Sequence, residues 1–414
     1  MKRNSIHIIL CLTMALQMFL LQSCLKDDEK VYGDEAGDRV EKYLTNAKSV
    51  LTSAEHGWHL SYFPHRQLKY GGFNYALKFT DDDNVTVWYE EEPGVTHTST
   101  YAMVGDDGPV LSFDTYNEFM HYYAKPSQGE YEAKDGDFEF ILLEVTENKI
   151  TLKGKRSGNI MYMTRLEVPA ATYMQKLEDA KALYHIYGGG TATVDGEEYS
   201  AVFDMQNRRL TINNPAGESI ATRTYIFTEK GIQLADTIKV GSTIMKDFIF
   251  NSNTDTFEAS GVSFALENTF KNYNEFIGTY TIKELGKTVT IKADTINKTY
   301  IVSGLTYMGT PIAHYDSYWG NIYFSPQWLD SWSTTSYPEI HDWLVIYDGD
   351  LVYFDNKFKS TSAVAPGKKI QFSLGSNGMT IMEWAFTKKN LSDEGNESLG
   401  DIEEYPMIMT WIKK

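Results

Sequence analysis

Tyr75-Ala76-Leu77-Lys78-Phe79-Thr80-Asp81-Asp82-Asp83-Asn84-Val85-Thr86-Val87-Trp88-Tyr89 is the stretch that decides the fold class. Two runs rich in aromatic and β-branched residues flank a polar turn at Asp81-Asp82-Asp83-Asn84, the composition of an antiparallel hairpin. The same grammar recurs on both sides. Trp58, Leu60 and Tyr62 alternate with polar residues upstream, and strands are expected at Asp137-Phe138-Glu139-Phe140 and over 149–154. Hairpins are expected from Thr191 to Phe257, with turns at Asp195-Gly196, Asn213-Asn214-Pro215 and Glu229-Lys230-Gly231. A boundary is expected near 272–275. After it, Phe276-Ile277-Gly278-Thr279-Tyr280 opens an almost pure β segment, and strands in such series form barrels or sandwiches.

Three helices interrupt this pattern. Val40, Tyr43, Leu44, Ala47, Leu51 and Ala54 fall on one stripe of a helix near 38–55. Thr115 and Glu118 have capping-box spacing for a second over 115–123, and Pro169 opens a third over 170–187 that Gly188-Gly189-Gly190 ends. The expected class is mainly β, with antiparallel sheets or barrels in two or three domains and a few accessory helices.

Charge and cysteine use narrow the function. Lys2 and Arg3 precede a mostly apolar run from Ile8 to Leu21, the form of a secretory signal and too short for a comfortable membrane span. The run ends in Leu21-Gln22-Ser23-Cys24, which looks like a bacterial lipobox; the resemblance implies cleavage before Cys24 and a lipid on that cysteine as the membrane attachment. Without residues 1–23 the chain has 36 basic against 56 acidic side chains, a net of −20. Nucleic acid is thereby an unsuitable partner, since phosphate binding needs basic surface. Cys11 and Cys24 are the two cysteines, so neither a disulfide nor a thiolate metal site is expected in the exported chain. Stability must come from packing, and an aromatic content of 14% points to sheets.

No constellation in the sequence carries catalysis, a cofactor or a metal. Asp137 and Glu139 alternate on an expected strand, which reads as a solvated face opposite Phe138 and Phe140 rather than a glycosidase pair. Asp81-Asp82-Asp83-Asn84 lacks the ligand spacing of a calcium loop. His56 and His59 flank Trp58 and read as strand-end residues, Gly188-Gly189-Gly190-Thr191 lacks the lysine of a phosphate loop, and no Gly-x-Ser-x-Gly elbow is present. The aromatic segment from Tyr315 to Trp343 stands out. It sets Trp319, Trp328, Trp332 and Trp343 among Asn321, Gln327, Asp330, His341 and Asp342, and sugar rings need both apolar faces and hydrogen-bonding groups. These four tryptophans are the candidate ligand-binding residues. Pro326 and Ser333-Thr334-Thr335-Ser336 suggest an exposed loop, and a spacing of four is expected to keep Trp328 and Trp332 on one face.

The lipobox, Gly57-Trp58, Tyr70-Gly71-Gly72-Phe73-Asn74-Tyr75, Leu111-Ser112-Phe113-Asp114-Thr115-Tyr116-Asn117, Gly136-Asp137-Phe138-Glu139-Phe140 and Leu152-Lys153-Gly154-Lys155 together resemble the Bacteroidetes lipoprotein family called domain of unknown function 4302. Lys26-Asp27-Asp28-Glu29 is similar to the surface-export signal of such lipoproteins. The C-terminal part resembles a lipocalin-like β domain, with Tyr280 where those carry tryptophan. The resemblance implies a signal peptide over 1–23, a lipidated acidic tether over 24–35, a family domain over 36–274 and a β domain over 275–414, on the surface of the outer membrane. The family has no established reaction. The expected function is a non-catalytic binding module for glycan or another polar nutrient, working beside an outer-membrane transporter; a structural or adhesive protein is the alternative and a glycoside hydrolase the third. Cys24→Ala is expected to abolish fatty-acid labelling and to release the protein from membranes, because one residue carries every anchor chain. Labelling that survives the substitution contradicts the anchor.

Overall fold

The structure, a computed structural model, describes residues 36–106, 108–126, 133–368, 370–393 and 395–414. The signal segment, Cys24 and the acidic tether lie outside the described residues. The described chain is mainly β, with antiparallel pairing and three successive units, each with its own core.

The first unit is a nine-stranded sheet. Its order from edge to edge is Thr96–Thr100, Asn84–Tyr89, Phe73–Phe79, Trp58–Tyr62, Ile160–Arg165, Lys149–Gly154, Glu139–Val145, Pro109–Ser112 and Ala102–Gly105. The opening hairpin pairs Tyr75 with Tyr89 and Phe79 with Val85. The two edge strands are separated in sequence by Tyr101 alone. One residue spans at most about 3.5 Å, so the sheet must curl until its edges meet. Tyr101 is buried at that seam, its hydroxyl donating to the Thr80 carbonyl at 3.0 Å. Helix α1 (Ala36–Thr52) turns Ala47 and Leu51 into this core, and the Trp58 indole N–H donates to the Leu51 carbonyl at 3.0 Å. Gly57, at φ +88°, makes the turn between them; a Cβ there would lie 2.5 Å from the Leu77 carbonyl oxygen.

Three expectations fail here, each because of a partner distant in sequence. Residues 115–123 form turns instead of a helix, because the Thr115 hydroxyl accepts the Thr100 N–H at 2.8 Å and is not free to cap. Asn117 instead accepts the N–H groups of Phe119 and Met120 at 3.2 Å. Asp137 is buried, not solvated, and accepts from the Arg156 and Ser157 N–H groups and the Ser157 hydroxyl. His59 is the second residue of the strand Trp58–Tyr62; its half-buried ring meets the Asn74 side-chain oxygen at 2.7 Å, and desolvation pushes its pKa down to about 4 despite that bond. Gly188-Gly189-Gly190 is not a helix stop; it lies inside the strand Tyr187–Val194, where a Cβ on Gly190 would press on the Ala265 carbonyl.

That strand begins the second unit, a closed barrel of eight strands ending at Val262–Asn268. Helix α2 (Ala170–Tyr184) bridges the first two units. Ala170, Tyr173 and Met174 pack with Ala76 of the sheet, whereas Leu177 and Tyr184 enter the barrel core.

Beside α2 the two units share a buried ion pair. Arg208, at φ +54°, sends one guanidinium nitrogen to Glu90 and to the Gly72 carbonyl, and the other to Glu91. Glu90 also accepts the Asn74 N–H at 2.7 Å, and Asn74 donates back to the Phe227 carbonyl at 3.0 Å. The guanidinium lies over Phe73 and Phe227, one ring from each unit. Burial opposes the charge, and the Glu90 and Glu91 carboxylates more than offset it, so the guanidinium stays protonated.

The third unit follows a 3₁₀ turn at Tyr273–Phe276. Eight strands, from Gly278–Ile282 to Met409–Lys413, close a second barrel. Two insertions, 327–353 and 380–404, leave this barrel between its strands and pair with each other.

Removing one partner of a buried pair leaves an uncompensated charge, at a cost of about 3 to 5 kcal/mol. Arg208→Met is therefore expected to lower the unfolding midpoint of the first two units by several degrees. Adding Glu90→Met should restore part of the loss, and a single substitution that leaves the midpoint unchanged contradicts the ion pair's part in the joint.

Candidate ligand-binding site

The two insertions form a lid sheet over the second barrel. In it the strands Gln327–Trp332, Ile340–Tyr347, Thr380–Phe386 and Ser398–Glu404 lie side by side. Its centre is non-local: Ile340–Tyr347 pairs with Thr380–Phe386 in unbroken register from His341 opposite Phe386 to Tyr347 opposite Thr380. Leu344, Ile346 and Ile381 face inward and join the barrel core. Gln327 ties the lid to the wall, its amide exchanging hydrogen bonds with the Ile312 N–H at 2.7 Å and carbonyl at 2.8 Å.

The outer face carries a row of indoles. Trp328 lies opposite Trp343, Trp343 opposite Trp384, and Trp384 opposite Asp401, so four strands contribute one residue each. All three tryptophans are half-buried. The indole nitrogens of Trp328 and Trp343 are below the surface, so carbon is what these two rings present to solvent. Trp384 donates its N–H to the Ser398 hydroxyl at 2.7 Å, and Ser398 and Asp401 are exposed beside it. The Lys389 ammonium stands 3.7 Å from the Trp328 ring centroid and covers one face of it.

The candidate residues from sequence separate here. Trp328 and Trp343 meet. Trp332 does not join them, because a β-bulge between Trp328 and Asp330 shifts the pairing by one and sets Trp332 opposite Ile340, on the barrel side of the lid. The segment is two sheet strands with an exposed connection over 333–339, not one long loop. Trp319 belongs to a different place, the joint between the barrels. It packs on the first barrel's core, and its neighbour Tyr318 stacks on His185 at 4.4 Å while the Tyr318 carbonyl meets the His185 ring nitrogen at 2.8 Å. Asp342 points away from Trp343, being the next residue on a regular strand. Trp384, Ser398 and Asp401 come from the second insertion, and the alternation Met382-Glu383-Trp384-Ala385-Phe386 was the signal for them.

The acidic groups of the first hairpin turn are satisfied locally. Asp82 of the first hairpin turn accepts from the Asn84 amide at 3.0 Å, and Lys48 pairs with Asp83 at 2.6 Å. Among the described residues no group of three or more His, Cys, Asp or Glu side chains is placed to hold a metal ion. Also among them, no helix is long and apolar enough to cross a membrane.

Comparison with known proteins adds a family and no chemistry. No curated protein matches the chain. Among solved structures, the β subunit of DNA polymerase from Streptococcus pyogenes is 7% identical, with 90% of this chain and 97% of that one covered and a TM-score of 0.12. A DNA polymerase sliding clamp from Pseudomonas aeruginosa is 10% identical, with the same coverages and a TM-score of 0.10. Scores this low carry no structural likeness. The model of the family described as domain of unknown function (DUF4302) matches residues 28–252, more than half of the chain, and the protein belongs to that family.

Proposed function

We propose that this protein is a surface-anchored outer-membrane lipoprotein whose C-terminal unit is a lipocalin-like, non-catalytic binding module for an extended glycan or a similarly polar nutrient. The observation that supports it is the cross-strand row Trp328, Trp343 and Trp384, with Asp401 at its end. Sugar rings offer C–H faces that stack on aromatic carbon and hydroxyls that need donors and acceptors. Neighbouring strands are about 4.8 Å apart, so the four positions span about 14 Å, enough for a short run of sugar units laid across the strands. Ser398, Asp401 and Lys389 supply polar groups beside that track. Lys389 competes for the face of Trp328, which leaves Trp343 and Trp384 as the stacking pair. The signal segment, Cys24 and the acidic tether support the location, and delivery to an outer-membrane transporter is the partner this location implies.

A glycan array on the soluble chain identifies the ligand, and substitutions then place it. Trp384→Ala is expected to weaken binding by about 1 to 3 kcal/mol, the scale of a lost stacked surface. Trp332→Ala and Trp319→Ala, on the barrel side of the lid and in the joint, should leave affinity unchanged. Loss of binding on Trp332→Ala with retention on Trp384→Ala refutes the platform.

A further inference from the structure

The inner face of the lid carries a second row, of carboxylates. Asp330 lies opposite Asp342, Glu383 lies opposite Glu403, and Asp342 and Glu383 are diagonal neighbours on adjoining strands, since Asp342 pairs with Ala385 and Glu383 with Leu344. Asp342 and Glu383 both have 0% exposure. Glu403 pairs with Lys287 of the barrel at 2.6 Å. Glu383 accepts the Tyr307 N–H at 2.8 Å and the Tyr405 hydroxyl, both from segments flanking the lid, with the Met308 N–H at 3.4 Å. Asp330 is half-buried and accepts the Ser331 N–H at 2.8 Å. Among the described residues no cation, hydroxyl or amide side chain donates to Asp342; the groups that reach it are the Glu383 carboxyl and the adjacent Trp343 N–H.

That asymmetry has a direct electrostatic meaning. Glu383 accepts from three fixed donors, so a second buried carboxyl placed against it is strongly disfavoured in its charged form. The charged groups around Asp342 are Glu383, Asp330 and Glu403 from the lid and Lys287 from the barrel, and Lys287 is committed to Glu403. His341 and Lys389 belong to the opposite face. Burial first, and then Glu383, push the Asp342 carboxyl up to about 8.

We propose that Asp342 and Glu383 form a proton-dependent latch, in which a proton retained on Asp342 keeps the lid sheet seated on the second barrel and its loss loosens the lid strands. The sign follows from linkage. The seated lid holds a proton that an opened, hydrated Asp342 releases, so the latch is at full strength below the ordinary carboxyl range near pH 4. It then weakens as pH rises and levels off once the buried group itself ionises near pH 8. Trp343 and Trp384 sit on the same two strands, facing outward. A pH effect on glycan capture would follow only if the platform reading above holds; the latch itself does not depend on it.

The test needs no ligand. Amide hydrogen exchange of 340–347 and 380–386 is followed in the full chain from about pH 5 to about pH 9, corrected for the intrinsic pH dependence of exchange. Lid protection is expected to fall about tenfold per pH unit up to about pH 8 and then to level, while the barrel strand Thr288–Asp294 keeps its protection. Asp342→Asn, neutral and of the same shape, should flatten the lid profile. If that variant does not fold, Glu383→Gln removes the neighbouring carboxyl that raises Asp342 and should move the levelling point to lower pH. A flat wild-type profile, a slope that persists in Asp342→Asn, or a levelling point unmoved by Glu383→Gln overturns the latch.

Discussion

The Arg208 guanidinium is the contact on which the arrangement of the first two units depends. It lies between a ring of the curled sheet and a ring of the first barrel, and its charge is met by Glu90 and Glu91 across the boundary. Buried ion pairs contribute little net stability against an apolar alternative, but they tolerate few geometries. Here that intolerance fixes relative position. The surrounding groups repeat the constraint: Asn74 reaches the Phe227 carbonyl, the Gly72 N–H donates to the Tyr225 carbonyl, and a Cβ on Gly72 would collide with Phe63 and Ile226. Helix α2 then fills the wedge with apolar residues from both of its ends.

The second barrel is joined to the first by smaller and more polar contacts. The His185–Tyr318 stack, Pro366 against Gly189, and the Gly367 N–H on Glu267 make that boundary. Beyond it, the lid has both faces occupied. Its inner face carries buried acids tied to the barrel rim, and its outer face carries the indole row, with adjacent residues of the same strands serving opposite roles.

What was legible in the sequence was what is local. The hairpin at 75–89 follows from its turn and its paired runs, and α1 and α2 from helical periodicity and Pro169. What was not legible depends on partners distant in sequence. Thr115 has the spacing of a cap, but its hydroxyl is taken by Thr100 on the strand that precedes the seam. The glycine run at 188–190 is a strand because neighbouring backbone and Pro366 approach it closely, which no local rule foresees. The tryptophan segment misled in a more instructive way. Trp328 and Trp332 would share a face in a regular strand, and one bulge reverses that, while the third indole of the row arrives from residues 380–404.

The central claim is that the nine-stranded sheet and the first barrel open as one body. Val87 and Ala201 are buried, one in the core of each unit, and no other thiol remains once Cys11 and Cys24 are replaced by serine. Val87→Cys and Ala201→Cys, made separately in that background, report by thiol labelling the denaturant concentration at which each unit exposes its core. The account predicts that the two become reactive together, and that both shift equally to lower denaturant when Arg208→Met is added. Labelling of one site at a clearly lower concentration than the other would contradict it.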